Sequence, residues 1–206
     1  MFITFEGIDG SGKSTQITLL SGWLKSLGNT VLVLREPGGN ALSENIRNIL
    51  LNTNEQVDIR CELLLFAAAR AQLVSKIIKP ALDENTIVLC DRYIDSSVAY
   101  QGYGRGLSIQ DVESINTFAT NDLVPDITFV FDLDPTEAAN RADDRSDKTS
   151  TASDRMERSG IDFFDKVRNG YLDIAKRSDG RVFVLNAKDT IDQLQNSIRS
   201  AVQSQL

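Results

Sequence analysis

The chain has 206 residues, 41% of them hydrophobic and 25% charged, which is the size and balance of one globular domain, or of one with a small appended lid. A net charge of −7 argues against a nucleic-acid partner, whose phosphates must be met by Lys and Arg, but it leaves room for a mononucleotide site with a few local cations. There is no histidine, which excludes Ser-His-Asp hydrolysis, HExxH metal sites and histidine base catalysis.

Cys61 and Cys90 lie in apolar runs without CxxC spacing. They are expected as buried thiols of a reduced, cytoplasmic protein. Met1–Glu6 lacks the basic region and apolar stretch of a signal peptide. No run of about 18 apolar residues is present, so no membrane partner is expected.

In chain order, Phe2–Glu6 reads as a strand, followed by a glycine-rich turn and a helix from about Ser14 to Leu27, stopped at Gly28. Thr30–Leu34 is a β-branched strand. Ala41–Leu51 and Arg60–Leu82 read as helices, and Thr86–Cys90 as a third strand. Ser108–Asn121 is helical, and Pro125 ends the connection before the strand Ile127–Leu133. Pro135 opens another helix. Ile161–Lys176 is a helix, Val182–Leu185 a strand, and Thr190–Val202 a last helix. Strands alternating with long helices indicate a five-stranded parallel sheet covered on both faces. In such α/β folds ligands sit beyond the carboxyl ends of the strands. Ala142–Ser153 is polar, small and charged, too poor in apolar residues to pack alone, and is expected as a mobile lid within a single domain spanning residues 1–206.

Gly7-Ile8-Asp9-Gly10-Ser11-Gly12-Lys13-Ser14 matches GxxxxGK[ST] in full, between a strand and a helix. Glycines let the backbone turn its amides onto a phosphate chain, and the helix start adds a positive end. The stretch Gly7–Thr15 is therefore the expected ATP-binding loop. Lys13 neutralises the β- and γ-phosphates, and the Ser14 hydroxyl ligates Mg²⁺. Ile87–Asp91 is an apolar strand ending in a carboxylate, so Asp91 is a second candidate for Mg²⁺ or its waters. Asp9 is unusual beside phosphates and needs a compensating cation, for which Arg92 is the candidate. Phe66 and Arg70 are four apart, on one helix face, where a ring can stack on a base and a guanidinium can bond a carbonyl. Taken alone, the pair reads more readily as a core Phe and a surface Arg. Arg92 alone reads as a phosphate-bridging cation or as a structural ion-pair partner.

Together with the phosphate loop, four further motifs occur in order. They are Arg35-Glu36-Pro37-Gly38-Gly39, Leu65-Phe66-Ala67-Ala68-Ala69-Arg70, Asp91-Arg92-Tyr93 with Ala99–Gly106, and Asp154-Arg155-Met156-Glu157. With these the chain resembles bacterial thymidylate kinases over essentially its whole length. The resemblance implies a P-loop fold of nucleoside monophosphate kinase type, with ATP and dTMP as substrates, Mg²⁺ as cofactor, dTDP as product and a homodimer as the assembly. It also implies that Phe66 and Arg70 read thymine and that Ser97, Tyr100 and Gln101 line the nucleoside pocket, Tyr100 near the sugar 2′ position. The family often has Asn where Ser97 stands. Arg35, Glu36 and Arg47 are then expected near the acceptor phosphate, and Asp154 and Glu157 close over it. Arg92 bridges the phosphates, with Asp9 as its positioner. The loop carries Gly10 and Ser11 where some relatives have an arginine, so the lid is expected to supply one: Arg145 aligns best, with Arg141 and Lys148 also available. A kinase for another nucleoside monophosphate, or a nucleotide-dependent switch, is the alternative. Asn186-Ala187-Lys188-Asp189 has the guanine reader's lysine one place late and is read as the edge of an adenine pocket.

Overall fold

The computed structural model describes residues 1–53, 55–141, 155–156 and 159–206. Five strands form one parallel sheet in the order β2-β3-β1-β4-β5. They are β1 (Phe2–Glu6), β2 (Val31–Arg35), β3 (Ile87–Asp91), β4 (Ile127–Asp132) and β5 (Val182–Asn186). The registers align their carboxyl ends: Phe5 lies beside Asp91 and Phe129, Arg35 beside Asp91, and Asp132 beside Asn186. Apolar residues of β1, β3 and β4 are buried on both faces, as a doubly covered sheet requires. At the two edges Val33 and Val184 reach solvent.

Each strand ends in a polar residue: Glu6, Arg35, Asp91, Asp132 or Asn186. Expected strands two, three and five stopped one residue short, because a polar residue reads as loop. Here those residues complete the ladder and carry their side chains to the functional edge.

The helices are α1 (Lys13–Ser26), α2 (Ala41–Asn52), α3 (Ile59–Leu73), α4 (Lys79–Asp83), α5 (Ile94–Ser97), α6 (Ile109–Thr120), α7 (135–141), α8 (Ile161–Arg177) and α9 (Ile191–Gln203). Side-chain caps at Asn40, Asp58 and Ser108 and a capping box at Thr190/Gln193 start α2, α3, α6 and α9.

Three expectations need correction. The single helix Arg60–Leu82 is interrupted by a π-helical turn, Val74–Ile78, in which the Lys79 amide reaches back to Val74 O. Pro80, at the start of α4, has no N–H for the regular ladder. A second π-helical stretch, Val98–Gly104, follows α5 and was not expected as helix. The thiols also differ from expectation. Cys90 is buried, but Cys61 is exposed on α3, on one face with Leu64 and Ala68. Of the apolar residues that follow it in sequence, Leu63 and Ala67 are among those turned inward.

Candidate functional site

The phosphate loop leaves β1 and enters α1 with Gly7, Gly10 and Gly12 at φ of 127°, 81° and 95°, a region that side chains disfavour. Space is limiting as well as torsion. A Cβ on Gly7 would stand 2.6 Å from Phe131 O, and one on Gly10 2.9 Å from Ala138 O. Ile8 is buried and Asp9 half-buried on the rim. Lys13 is buried, and its Nζ donates to Gly7 O at 3.0 Å and Ile8 O at 3.1 Å. Burial, then the nearby Arg92, holds its pKa below the usual lysine range. Ser14 and Thr15 are exposed at the start of α1. Ser14 Oγ donates to Asp91 Oδ2 at 3.4 Å, while Asp91 Oδ1 is buried with no hydrogen-bond partner. Two hard oxygens, one unsatisfied, suit a small hard cation. Mg²⁺ takes one or two protein oxygens and completes its shell with phosphates and water. Ser11 Oγ is likewise buried without a partner.

Beside the loop lies a cavity of about 170 Å³. It gathers nearly all the residues expected around the acceptor: Asp9, Glu36, Arg47, Phe66, Arg70, Arg92, Ser97, Tyr100 and Gln101. Pro37, Leu51, Ser96 and Met156 complete its wall. The two sites share a rim at Arg92, whose guanidinium donates to Asp9 at 2.8 Å and lies over the Tyr100 ring at 5.1 Å. Asp9 thus has the cation it needed.

Arg70 is almost fully buried, not at the surface. Its Nε donates to Glu36 at 2.7 Å, one terminal nitrogen to Ser97 Oγ at 3.0 Å and Asn116 Oδ1 at 2.6 Å, and the other to Tyr93 O at 3.0 Å. Glu36, also buried, is therefore the counter-ion that orients Arg70. Burial raises the Glu36 pKa against the pull of Arg70, and its second oxygen has no partner. Gln101 donates to the buried Glu62 at 2.9 Å, a carboxylate that also receives Arg105 and Arg155. Arg47 donates to Pro37 O at 3.1 Å, after the cis peptide Glu36–Pro37.

Arg35 is a correction. It is exposed and bonded to Glu44, in a separate groove with Ser14 and Asp91 rather than in the cavity. Strand alternation sends neighbours Arg35 and Glu36 to opposite sides. The lid stretch 142–153, with Arg145 and Lys148, and also Asp154 and Glu157, lies outside the described residues. Arg141 donates to Ala187 O at 3.2 Å and pairs with Glu137, so α7 leans on the Asn186–Asp189 turn, which closes on itself through Asn186 and Asp189.

Sequence reasoning passed over several residues that hold the site: Glu6, Glu62, Ser96, Asn116 and Tyr171. Glu6 is fully buried, and its pKa is pushed up to about 7, first by burial and then by Asp95, against pulls from Ser96, Arg92 and Tyr171. The available signal was a charged residue inside an apolar strand, which rarely stays buried without a purpose.

A parallel sheet in this strand order, with a full phosphate loop at its carboxyl edge and a lined cavity alongside, defines a P-loop kinase of nucleoside monophosphate kinase type. The thymidylate kinase family model matches residues 5–198. The thymidylate kinase of Chlorobium chlorochromatii is 47% identical, covering all of this chain and 96% of that protein. That of Thermosipho africanus is 48% identical, covering all of this chain and 99% of the other. The crystal structure of thymidylate kinase from Ehrlichia chaffeensis superposes with a TM-score of 0.78 at 38% identity, over 98% of both chains. The chain belongs to the thymidylate kinase family.

Proposed function

We propose that the protein transfers the γ-phosphoryl group of ATP directly to a phosphate oxygen of dTMP, giving ADP and dTDP for dTTP supply. One phosphorus–oxygen bond forms to dTMP as the bond to the ADP oxygen breaks, in line. The acceptor is already a phosphate anion, so no strong base is needed. The observation that carries the reading is the shared Arg92–Asp9 rim, which sets the cavity of Phe66, Arg70 and Tyr100 directly against the phosphate loop.

In this reading the loop amides and Lys13 hold the ATP phosphates. Ser14 and Asp91 would hold Mg²⁺, which supplies charge neutralisation on the phosphates. Phe66 stacks on thymine. Arg70 has five N–H groups, four of them engaged by protein acceptors, so one is left for a base carbonyl. Gln101 and Ser97 frame the nucleoside, and Tyr100 crowds the sugar. Arg47 lies at the acceptor-phosphate side. Arg92 spans donor and acceptor phosphates as charge moves between them. Arg145, Asp154 and Glu157 are assigned to closure over the site, with 142–153 as the lid of a single domain.

No helix among the described residues is long and apolar enough to cross a membrane, and a cytoplasmic location fits a nucleotide-supply enzyme. The assembly is read as a homodimer. Leu42 and Ile49 on α2, Leu64 on α3 and Phe118 on α6 are exposed, Phe118 at 90%; α3 packs against both α2 and α6, and exposed apolar residues on these neighbouring helices suit a second copy.

The test is ADP release with Mg·ATP and one acceptor at a time: dTMP, dUMP, dCMP, AMP, GMP or none. Strong turnover with dTMP and weak turnover with dUMP is expected, since one methyl group discriminates by only about 1–3 kcal/mol. Preference for another base overturns the cavity assignment. ATP binding without acceptor-dependent turnover overturns the kinase reading.

A further inference from the structure

Glu6 closes β1 immediately before the phosphate loop and is fully buried. Its carboxylate accepts hydrogen bonds from the Tyr93 amide at 2.7 Å, Ser96 Oγ at 2.5 Å and Tyr171 OH at 3.0 Å. All three donors are uncharged. A buried carboxylate held this way is costly, and the sheet would accept an apolar residue at this position as it does at Phe5.

The hydroxyls lead to Arg92. Ser96 Oγ and Tyr171 OH each lie 3.4 Å from the same terminal nitrogen of its guanidinium. The other terminal nitrogen bonds Asp9, and the Tyr100 ring lies beneath. The hydrogen bonds run in one direction: Arg92 donates to the hydroxyls, and the hydroxyls donate to Glu6. The backbone is fixed at the same place. Arg92 has a φ of 70°, a conformation that costs a side-chain-bearing residue about 1–2 kcal/mol. The bonds on either side of it, Arg92 N–H to Phe5 O at 2.9 Å and Tyr93 N–H to Glu6, hold the turn.

We propose that Glu6, Ser96 and Tyr171 form a buried seat that aims the Arg92 guanidinium at the phosphoryl group in transfer, which makes Glu6 and Tyr171 positioning residues for the reaction. The proposal rests on the kinase reading above. The seat acts on the transition state rather than on substrate affinity. Arg92 remains present without it but loses its orientation, and misplacement of a charge-stabilising group lowers kcat.

Tyr171→Phe removes one hydroxyl and keeps the ring that packs edge-on against Tyr100. In this variant kcat should fall about tenfold, with KM for dTMP and ATP within about twofold. In an Arg92→Lys background, which has no guanidinium to aim, the same substitution should cost nothing further. Glu6→Gln, checked for an intact thermal transition, should repeat the kcat loss, and Glu6→Asp should recover part of it. An unchanged kcat in Tyr171→Phe, a loss confined to KM, or an equal loss in both backgrounds overturns the seat. Wild-type turnover in Arg92→Lys alone defeats the role given to Arg92, and the seat with it. Absence of dTMP-dependent ADP release in the unmodified protein identifies failure of the kinase reading instead.

Discussion

The phosphate loop and the cavity beside it hold their cations in opposite ways. Lys13 is buried against backbone carbonyls, and among the described residues its one ion-pair contact is the half-exposed Asp9 at 3.9 Å, with Arg92 near enough to oppose its charge. Arg70 is buried in a net of side chains around a buried counter-ion, Glu36. The loop's cation is available to a ligand, and the fold does not lean on its charge. The cavity's cation is part of the fold and offers the ligand what remains. Removing each should therefore have different consequences.

The largest effect is expected from Lys13→Ala. Turnover should fall by about 10³-fold or more, since the phosphates lose their principal side-chain cation. The melting temperature should hold or rise, because a buried charge disfavoured by desolvation has been removed. Steady-state ADP release and a thermal melt decide it. Near-wild-type activity breaks the comparison at its first term.

Arg70→Ala should do the reverse to the fold. It strands Glu36 in the interior, an omission worth about 3–5 kcal/mol of stability, read as a lower urea midpoint at unchanged slope. Glu36→Gln in the same chain should restore part of that stability but not dTMP affinity. Equal urea midpoints for Lys13→Ala and Arg70→Ala would erase the distinction between the two regions.

Phe66→Ala tests the cavity without touching its ion pair. Base stacking on an aromatic ring is worth about 1–3 kcal/mol, so KM for dTMP should rise about tenfold or more while KM for ATP holds. A matched change in both constants would place Phe66 in the fold rather than at the base.

The same contrast explains what could be read from the sequence. The loop is contiguous, and its glycines, lysine and serine each answer a local demand. The alternation of strands and helices gave the sheet, because periodicity is local too. Phe66 and Arg70 share a helix face by spacing alone, but nothing local brings Glu36 and Asn116 to Arg70, from 34 and 46 residues away. From its own stretch of sequence Arg70 therefore reads as a surface residue. Arg35 was misplaced for a related reason: adjacency in sequence hid that strand neighbours face apart. Glu6 was passed over because its partners, Ser96 and Tyr171, lie 90 and 165 residues away, and only the packed fold gives a strand-end glutamate its purpose.

The smallest expected effect concerns Glu6, which stands where the two regions meet. Glu6 Oε2, Ser96 Oγ and Tyr171 OH form a closed triangle, with edges of 2.5, 2.9 and 3.0 Å. While both hydroxyls donate to an ionised Glu6, the Ser96–Tyr171 edge has no proton; a proton taken up by Glu6 lets one hydroxyl turn to fill it. Burial acts in the same direction and lifts its pKa from 4.5 to about 7. Between those values the folded chain keeps a proton that the unfolded chain has released, so raising the pH across this window withdraws stability. Below the window the penalty is absent, and above it the penalty is complete. Glu6→Gln cannot titrate. The melting temperature of the unmodified protein minus that of Glu6→Gln should therefore be greatest near pH 5 and shrink by roughly 5 °C by pH 8. Taking the difference cancels every other titration the two proteins share. A gap that stays level across the window means that Glu6 is ionised throughout, and its hydroxyl partners then hold a permanent charge beneath Arg92. A gap that widens with pH requires the opposite shift, and the triangle of oxygens does not carry a shared proton.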